Sequence, residues 1–517
     1  MRTIRLILVT LLLLISVSPL GYGLARPGLP EEGLQDLEAY IARAMREWEV
    51  PGLALAIVKD DALVLAKGYG VKRLGESAPV TERTVFAIGS ASKAFTTAAL
   101  AMLVEEGKIR WDDPVIRYLP HFQLFDPYVT RELTIRDLVT HRSGLERADL
   151  LWYGTAFDRE EIIRRLRFLR PRWGFRSHFG YQNILYLAAG QLIRAVTGKT
   201  WEDFIRERIF QPLGMTTSTT SVKALRDISD VATPHAKIEG VVRPIPWRDI
   251  DNIAPAGSIN SNVLEMAEWI RVHLNEGAHR GQRLWSAAAE REMQTPQTII
   301  RPEPPYSTLF PEARFLTYGL GWFLHDYRGR KIVEHGGNID GMSALVALVP
   351  EERLGFVILT NMNGTLLVHA LKYRIMDVFF GAPSKDWSAD FQQRAKALQE
   401  QQQVAMKKIE DARVLGTKPA LPPARYVGTY ENEVYGEVTV REEEGRFVLR
   451  WGAMRVGDLE HWHYETFRVR WRDPLLPPAF VTFVPDVEGA VGELKMKLSG
   501  LFEDLIFRRV REEGRER

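Results

Sequence analysis

Strand-like sequence stands at two widely separated places in this chain, and that separation limits the folds open to it. Near the start, "LALAIVKDD" and "ALVLAKGYG" (53–70) are apolar runs joined like a hairpin. Three more runs, "KIVEH", "SALVALVP" and "LGFVILTN" (331–361), are broken by "GGNIDG" and "PEER" and read as an antiparallel meander. The long region between them is mixed, with helical stretches such as "NILYLAAGQLIRAVTG" (183–198). Distant segments must therefore complete one sheet with helices packed on it, which makes the fold class α+β.

The remaining chain divides around that domain. "EEGLQDLEAYIARAMREWEVPG" reads as an amphipathic helix ending at Pro51–Gly52, and "LLVHALKYRIMDVFFG" as a closing helix. From about Pro383 to Pro423 the sequence turns polar and helix-prone, as in a helical linker. Beyond it, period-two alternation with turn signals between runs predicts a small all-β barrel or sandwich. The expected boundaries are 30–382 for the α+β domain, 383–423 for the linker and 424–512 for the barrel. Residues 1–25 have the form of an export signal: Arg2 and Arg5, an apolar core from Leu6 to Val17, then Gly23 and Ala25 before the cut. With no cysteine there is no disulfide framework and no lipoprotein anchor, so the expected location is periplasmic or extracellular, with no membrane span after cleavage. A net charge of +2 gives no nucleic-acid footprint.

The chemistry concentrates at "FAIGSASKAFTTAAL" (86–100). Ser90 and Lys93 form the single Ser-x-x-Lys of the chain, and on a helix they share a face. A lysine held dry among small residues can lose its charge and take a proton from a serine hydroxyl. Two further elements join it. "FGYQNILYLAAG" sets Tyr181 and Asn183 before an apolar helix, where a phenol can relay a proton and an amide can hold a lysine or a carbonyl. "KIVEHGGN" places His335, Gly336 and Gly337 at a strand end, where glycine lets a substrate approach backbone N–H groups. Decoys exist: Tyr430-x-Asn432 lies in the β tail, His178-x-Gly180 follows no strand, and Ser258-x-Asn260 could replace the second element. His141 in "THRSGL" reads as structural, and no spacing suggests a metal or another cofactor.

In order and context the trio resembles the penicillin-recognising serine hydrolases: class C β-lactamases, D-Ala-D-Ala carboxypeptidases, D-aminopeptidases and related esterases. The resemblance covers roughly 33–380 and includes "THRSGL" and "YGLGW" (318–322). The tail from about 424 is similar to the lipocalin-like domain of some penicillin-binding-protein-like peptidases. The resemblance implies a β-lactamase/transpeptidase-like domain: an antiparallel sheet flanked by helices, plus an all-helical region. It makes Ser90 the acylated nucleophile, Lys93 its proton acceptor and Tyr181 the proton shuttle, with His335 as the fourth catalytic position. Asn183 would align Lys93 and the substrate, and backbone N–H groups of Ser90 and Asn338, past Gly336 and Gly337, would form the oxyanion hole. The third motif departs from the β-lactamase pattern Lys-Thr-Gly, because His335 replaces the fixed charge and Gly336 lacks a hydroxyl. The implied activity is hydrolysis of a small ester or a peptide or amide, D-configured substrates included. The alternatives are a penicillin-binding sensor or scaffold that acylates without turnover, a true β-lactamase, or a binding protein whose barrel carries a lipid or peptide; separately, the tail could assemble the chain into a homo-oligomer.

Overall fold

The computed structural model describes residues 31–498 and 503–510; the expected signal peptide lies outside the described residues. No helix among them is long and apolar enough to cross a membrane. Helix α1 (Glu31–Glu47) leads into the hairpin β1 (Gly52–Lys59) and β2 (Ala62–Gly70). The central helix α2 (Ser92–Glu105), α3 (Asn183–Thr197) and α4 (Val263–Leu274) follow. The late strands are β3 (Thr298–Ile299), β4 (Leu316–Tyr318), β5 (Phe323–Tyr327), β6 (Arg330–Ile339), β7 (Met342–Val349) and β8 (Leu354–Thr360). Helices α5 (Leu367–Phe379) and α6 (Trp387–Asp411) complete the α+β part.

The sheet order is β2-β1-β8-β7-β6-β5-β4-β3, all antiparallel, so the early hairpin and the late meander do share one sheet. Leu55 faces Ile358 across the join. The central strands are apolar at successive positions because both faces of the sheet are covered. Leu53, Leu55 and Ile57 of β1 join Leu345, Ala347, Phe356 and Ile358 in one core layer beneath α1 and α5. Ala54, Ala56 and Val58 join Ala344, Val346, Val357 and Leu359 on the other side, against α2 and α4. Helix α2 is buried on every side from Ser92 to Leu103, which its alanines permit by letting neighbours approach closely. The polar stretch after 383 contains α6, whose first turn is docked on the α+β part: Trp387 and Phe391 are buried, and the Trp387 indole donates to Asp377 at 2.7 Å.

The tail is a closed eight-stranded antiparallel barrel running from Gly428–Asn432 to Leu505–Arg509, closed by the pair Tyr430–Arg509. Rings of Tyr426, Phe447, Phe467 and Phe483 fill part of its interior, with centroids 5.1 to 5.8 Å apart. Tyr430, the decoy, is a barrel-core residue whose hydroxyl donates to the Tyr426 carbonyl at 2.8 Å.

Candidate active site

Ser90 sits on a single 3₁₀ turn, Gly89–Ala91, that enters α2. The turn is held by the Ser92 hydroxyl, which donates to Gly89 O at 2.7 Å and accepts from Ile259 N–H at 3.1 Å. Gly89 has φ +52, and a Cβ there would lie 2.8 Å from Asn338 N. On β6, a Cβ at Gly337 would fall 1.8 Å from Ile88 O and 3.1 Å from Ser90 N. The two glycines thus let the Ser90 turn press against β6, with Asn338 N close to Gly89 and Ser90 N close to Gly337. The Asn338 side chain is engaged elsewhere, accepting from the Ser343 hydroxyl at 3.0 Å and Gly364 N–H at 2.8 Å. Gly336 faces away from this contact, and a Cβ there would meet Ala344 O at an ordinary 3.6 Å.

Lys93 is the second residue of α2, fully buried, with Nζ 3.0 Å from Ser90 Oγ and 2.8 Å from the Ala256 carbonyl oxygen. Burial first, and the nearby Arg147 charge second, hold its amine well below the usual lysine range; Asp149 opposes them. Lys93 Nζ donates to Ala256 O and to Ser90 Oγ, and its lowered pKa favours the neutral amine that can take the Ser90 proton. Lys93 Nζ lies 4.9 Å from the Tyr181 ring centre. Burial pushes the Tyr181 phenol well up, against the opposing effects of Arg147 and the neighbouring Ser90 hydroxyl. It is therefore a protonated acid, suited to passing a proton along.

Asn183 departs from expectation. Its amide donates to Asp149 Oδ1 at 2.8 Å, and the second polar partner of Lys93 is Ala256 O, so the expected Asn183–Lys93 alignment is not made. Asp149 also accepts from the Trp152 indole at 2.8 Å and pairs with Arg147, whose guanidinium covers the Tyr181 ring at 5.0 Å. His335 is buried and points into the site from β6. Its Nδ1 donates to Gly336 O at 2.6 Å, which leaves Nε2 to accept from the Tyr318 hydroxyl at 3.0 Å. Burial, with Lys93 next, pushes its pKa down to about 3, so the neutral form persists well below neutral pH.

Three contributors belong to no motif. The turn Ala254–Gly257 supplies Ala256 O, and Arg147 and Asp149 set the charge around Lys93. His141, at φ +57, brackets Tyr181: its carbonyl accepts from Gly180 N–H at 2.8 Å and its Nδ1 from Gln182 N–H at 3.0 Å. The backbone bonding expected of His141 is present. Ser258-x-Asn260 lies nearby, but Asn260 donates to Thr219 Oγ1 at 3.0 Å and to Ser258 O at 3.2 Å.

Comparison with known proteins gives the family. The family described as beta-lactamase matches residues 37–378. The chain belongs to it. A domain of unknown function, DUF3471, matches residues 412–509. Among curated relatives, the unguisins hydrolase ungD of Aspergillus violaceofuscus is 30% identical over 438 residues, covering 78% of this chain and 75% of that protein. Penicillin-binding protein 4 of Amycolatopsis lactamdurans is 30% identical over 322 residues, covering 61% of this chain and 82% of its own. The octameric penicillin-binding protein homologue from Pyrococcus abyssi shares the fold over 92% of this chain and 99% of its own, with TM-score 0.61 and 22% identity. SurE with D-Leu does so over 93% of this chain and 100% of its own, with TM-score 0.54 and 20% identity. The β-lactamase-like domain and the following barrel are thus those of a serine hydrolase family with hydrolase relatives.

Proposed function

We propose that this protein is an exported serine hydrolase whose Ser90 is acylated by a small ester, peptide or amide substrate, the acyl group then being released as the acid by water. The observation that carries the reading is the neutral, buried Lys93 amine 3.0 Å from Ser90 Oγ. Ser90 attacks the carbonyl carbon, and its proton passes to Lys93 as the Oγ–C bond forms. The oxyanion is held by the N–H groups of Ser90 and Asn338, each such donor typically contributing about 3 kcal/mol in the transition state. Collapse breaks the bond to the leaving group, which takes the proton through Tyr181. Water then attacks the acyl-enzyme by the reverse relay, giving product acid and free Ser90. His335, neutral and bonded to Tyr318, serves as a wall and polar contact of the site. It supplies no fixed charge for a carboxylate, which favours neutral esters and amides over β-lactams. A gain in anion binding as pH falls toward 6.5 is not expected, because His335 stays neutral there.

Intact-mass spectrometry tests the reading. The protein is incubated with activated esters, D-amino-acid amides and β-lactams, and with an unguisin, the substrate named for the relative. The expected result is a transient adduct on Ser90 that decays fastest for an ester or amide and is absent in Ser90→Ala. Labelling that survives in Ser90→Ala overturns the assignment. An adduct that forms and never decays on any of these compounds favours the penicillin-binding sensor instead.

A further inference from the structure

The barrel buries a cation, Arg455, for which no counter-ion lies among the described residues. Arg455 opens the barrel strand Arg455–His463 and is 2% exposed. Its Nη2 donates to the carbonyl oxygens of Leu150, at 3.1 Å, and of Tyr153. The Trp451 ring lies 4.2 Å from the guanidinium carbon, while Nε and Nη1 are buried without a partner among the described residues. Burial pushes its pKa down to about 10, so it stays charged at neutral pH. Such a group is costly, and replacing it with an apolar side chain of similar volume is often neutral or stabilising.

Its location supplies a reason to keep it. The two carbonyls belong to the turn that also contains Asp149, which binds both Asn183 and Arg147, and Trp152, whose indole donates to Asp149. The barrel grips the opposite wall as well. Arg248 joins Asp340, two residues beyond Asn338, at 2.5 Å to the barrel's Asp473 at 3.0 Å, and the Tyr153 hydroxyl donates to the same Asp340 at 2.7 Å.

We propose that Arg455 is a positioning residue of the active site: from the barrel it fixes the Asp149–Tyr153 turn, and through that turn Asn183 and Arg147 beside Lys93 and Tyr181. This rests on Ser90 being the nucleophile. A bond that merely glued two domains would show itself in stability first, whereas this one acts on the proton chemistry of a site it does not touch.

The test uses full-length Arg455→Met and Arg455→Lys. Urea midpoints are measured beside the pre-steady-state rate of Ser90 acylation by a neutral activated ester from pH 5 to 9. Arg455→Met is expected to keep or raise the midpoint while acylation at pH 7 falls at least tenfold. Its acid limb is expected to move to higher pH, because the Arg147 charge that depresses Lys93 is no longer held in place. Arg455→Lys, which keeps the charge and one donor to a carbonyl, is expected to be intermediate, and it carries the test if Arg455→Met does not fold. Unchanged acylation with an unmoved acid limb overturns the proposal, as does a loss that only tracks the folded fraction. If wild-type protein gives no adduct on Ser90, the nucleophile assignment itself falls, and this inference with it.

Discussion

Lys93 is the residue whose charge decides what Ser90 can do. At full burial its ammonium form would lie among α2, Ala256 O and the Tyr181 and Tyr186 rings with no carboxylate in contact among the described residues, which pushes its pKa well below the usual lysine range and favours the neutral amine. Arg147 adds to this by repulsion. Replacing Arg147 with methionine removes that repulsion and raises the Lys93 pKa. Because acylation needs the neutral amine, the acid limb of the acylation rate should move to higher pH in a stopped-flow profile; a move to lower pH would exclude this role for Arg147. Tyr181→Phe, which keeps the ring and loses the proton, should slow acylation by about two to four orders of magnitude. Tyr430→Phe should leave the rate on a small ester near wild type, because its hydroxyl is spent inside the barrel. The side chains of this site were largely legible in sequence: an i, i+3 Ser–Lys pair and a Tyr before an apolar helix are local patterns with chemical meaning. Ala256, which contributes only a carbonyl oxygen, has no such signature. Arg147 and Asp149 reach the site through a turn whose shape no periodicity predicts, and Asn183 was assigned to the wrong partner for the same reason.

Among the elements, β6 does two jobs through alternate residues. Glu334 points to one side of the sheet, where it meets Lys372 of α5 at 3.0 Å and His325 at 3.1 Å. His335 and Gly337 point to the other, against the Ser90 turn. A one-residue change of register would exchange the two sets, so the strand is pinned on both faces. The runs, the meander and its union with the early hairpin could be read from apolar composition and turn residues, because those follow from burial. Which of two adjacent glycines faces the nucleophile could not, since register is settled by the packed partner. Gly337→Ala places a methyl 1.8 Å from Ile88 O and must displace the Ser90 turn or the strand. It should cost roughly 1–3 kcal/mol of stability and most of the acylation rate. Gly336→Ala meets only ordinary contacts and should stay within about 1 kcal/mol of wild type. Urea melts and acylation rates on the pair check this, and equal losses would mean the turn does not press on β6 at Gly337.

Across the whole molecule, burial of neutral histidines ties stability to acid. His335 and His369 are each pushed down to about 3, in both cases by burial first and a neighbouring lysine next, and burial also lowers His141 and His235. In the unfolded chain each would titrate near 6.5. Between those values the unfolded state binds more protons than the folded one, so stability rises with pH and is lost as pH falls from about 6.5 toward 3. Glu334, held down to about 2 chiefly by Lys372 against its burial, adds a loss in the same direction below the ordinary glutamate range. The urea midpoint should therefore drop steadily from pH 6.5 to 4.5, before most carboxylates titrate. His369 is the cleanest member to remove: its Nδ1 is buried without a partner among the described residues, and its ring is stacked with Phe391 at 6.1 Å, away from Ser90. His369→Phe suits that aromatic setting and takes up no proton, so it should flatten the pH slope by up to one proton, about 1.4 kcal/mol per pH unit. A variant whose stability falls with acid as steeply as the wild type would show that His369 is not among the groups that link folding to pH.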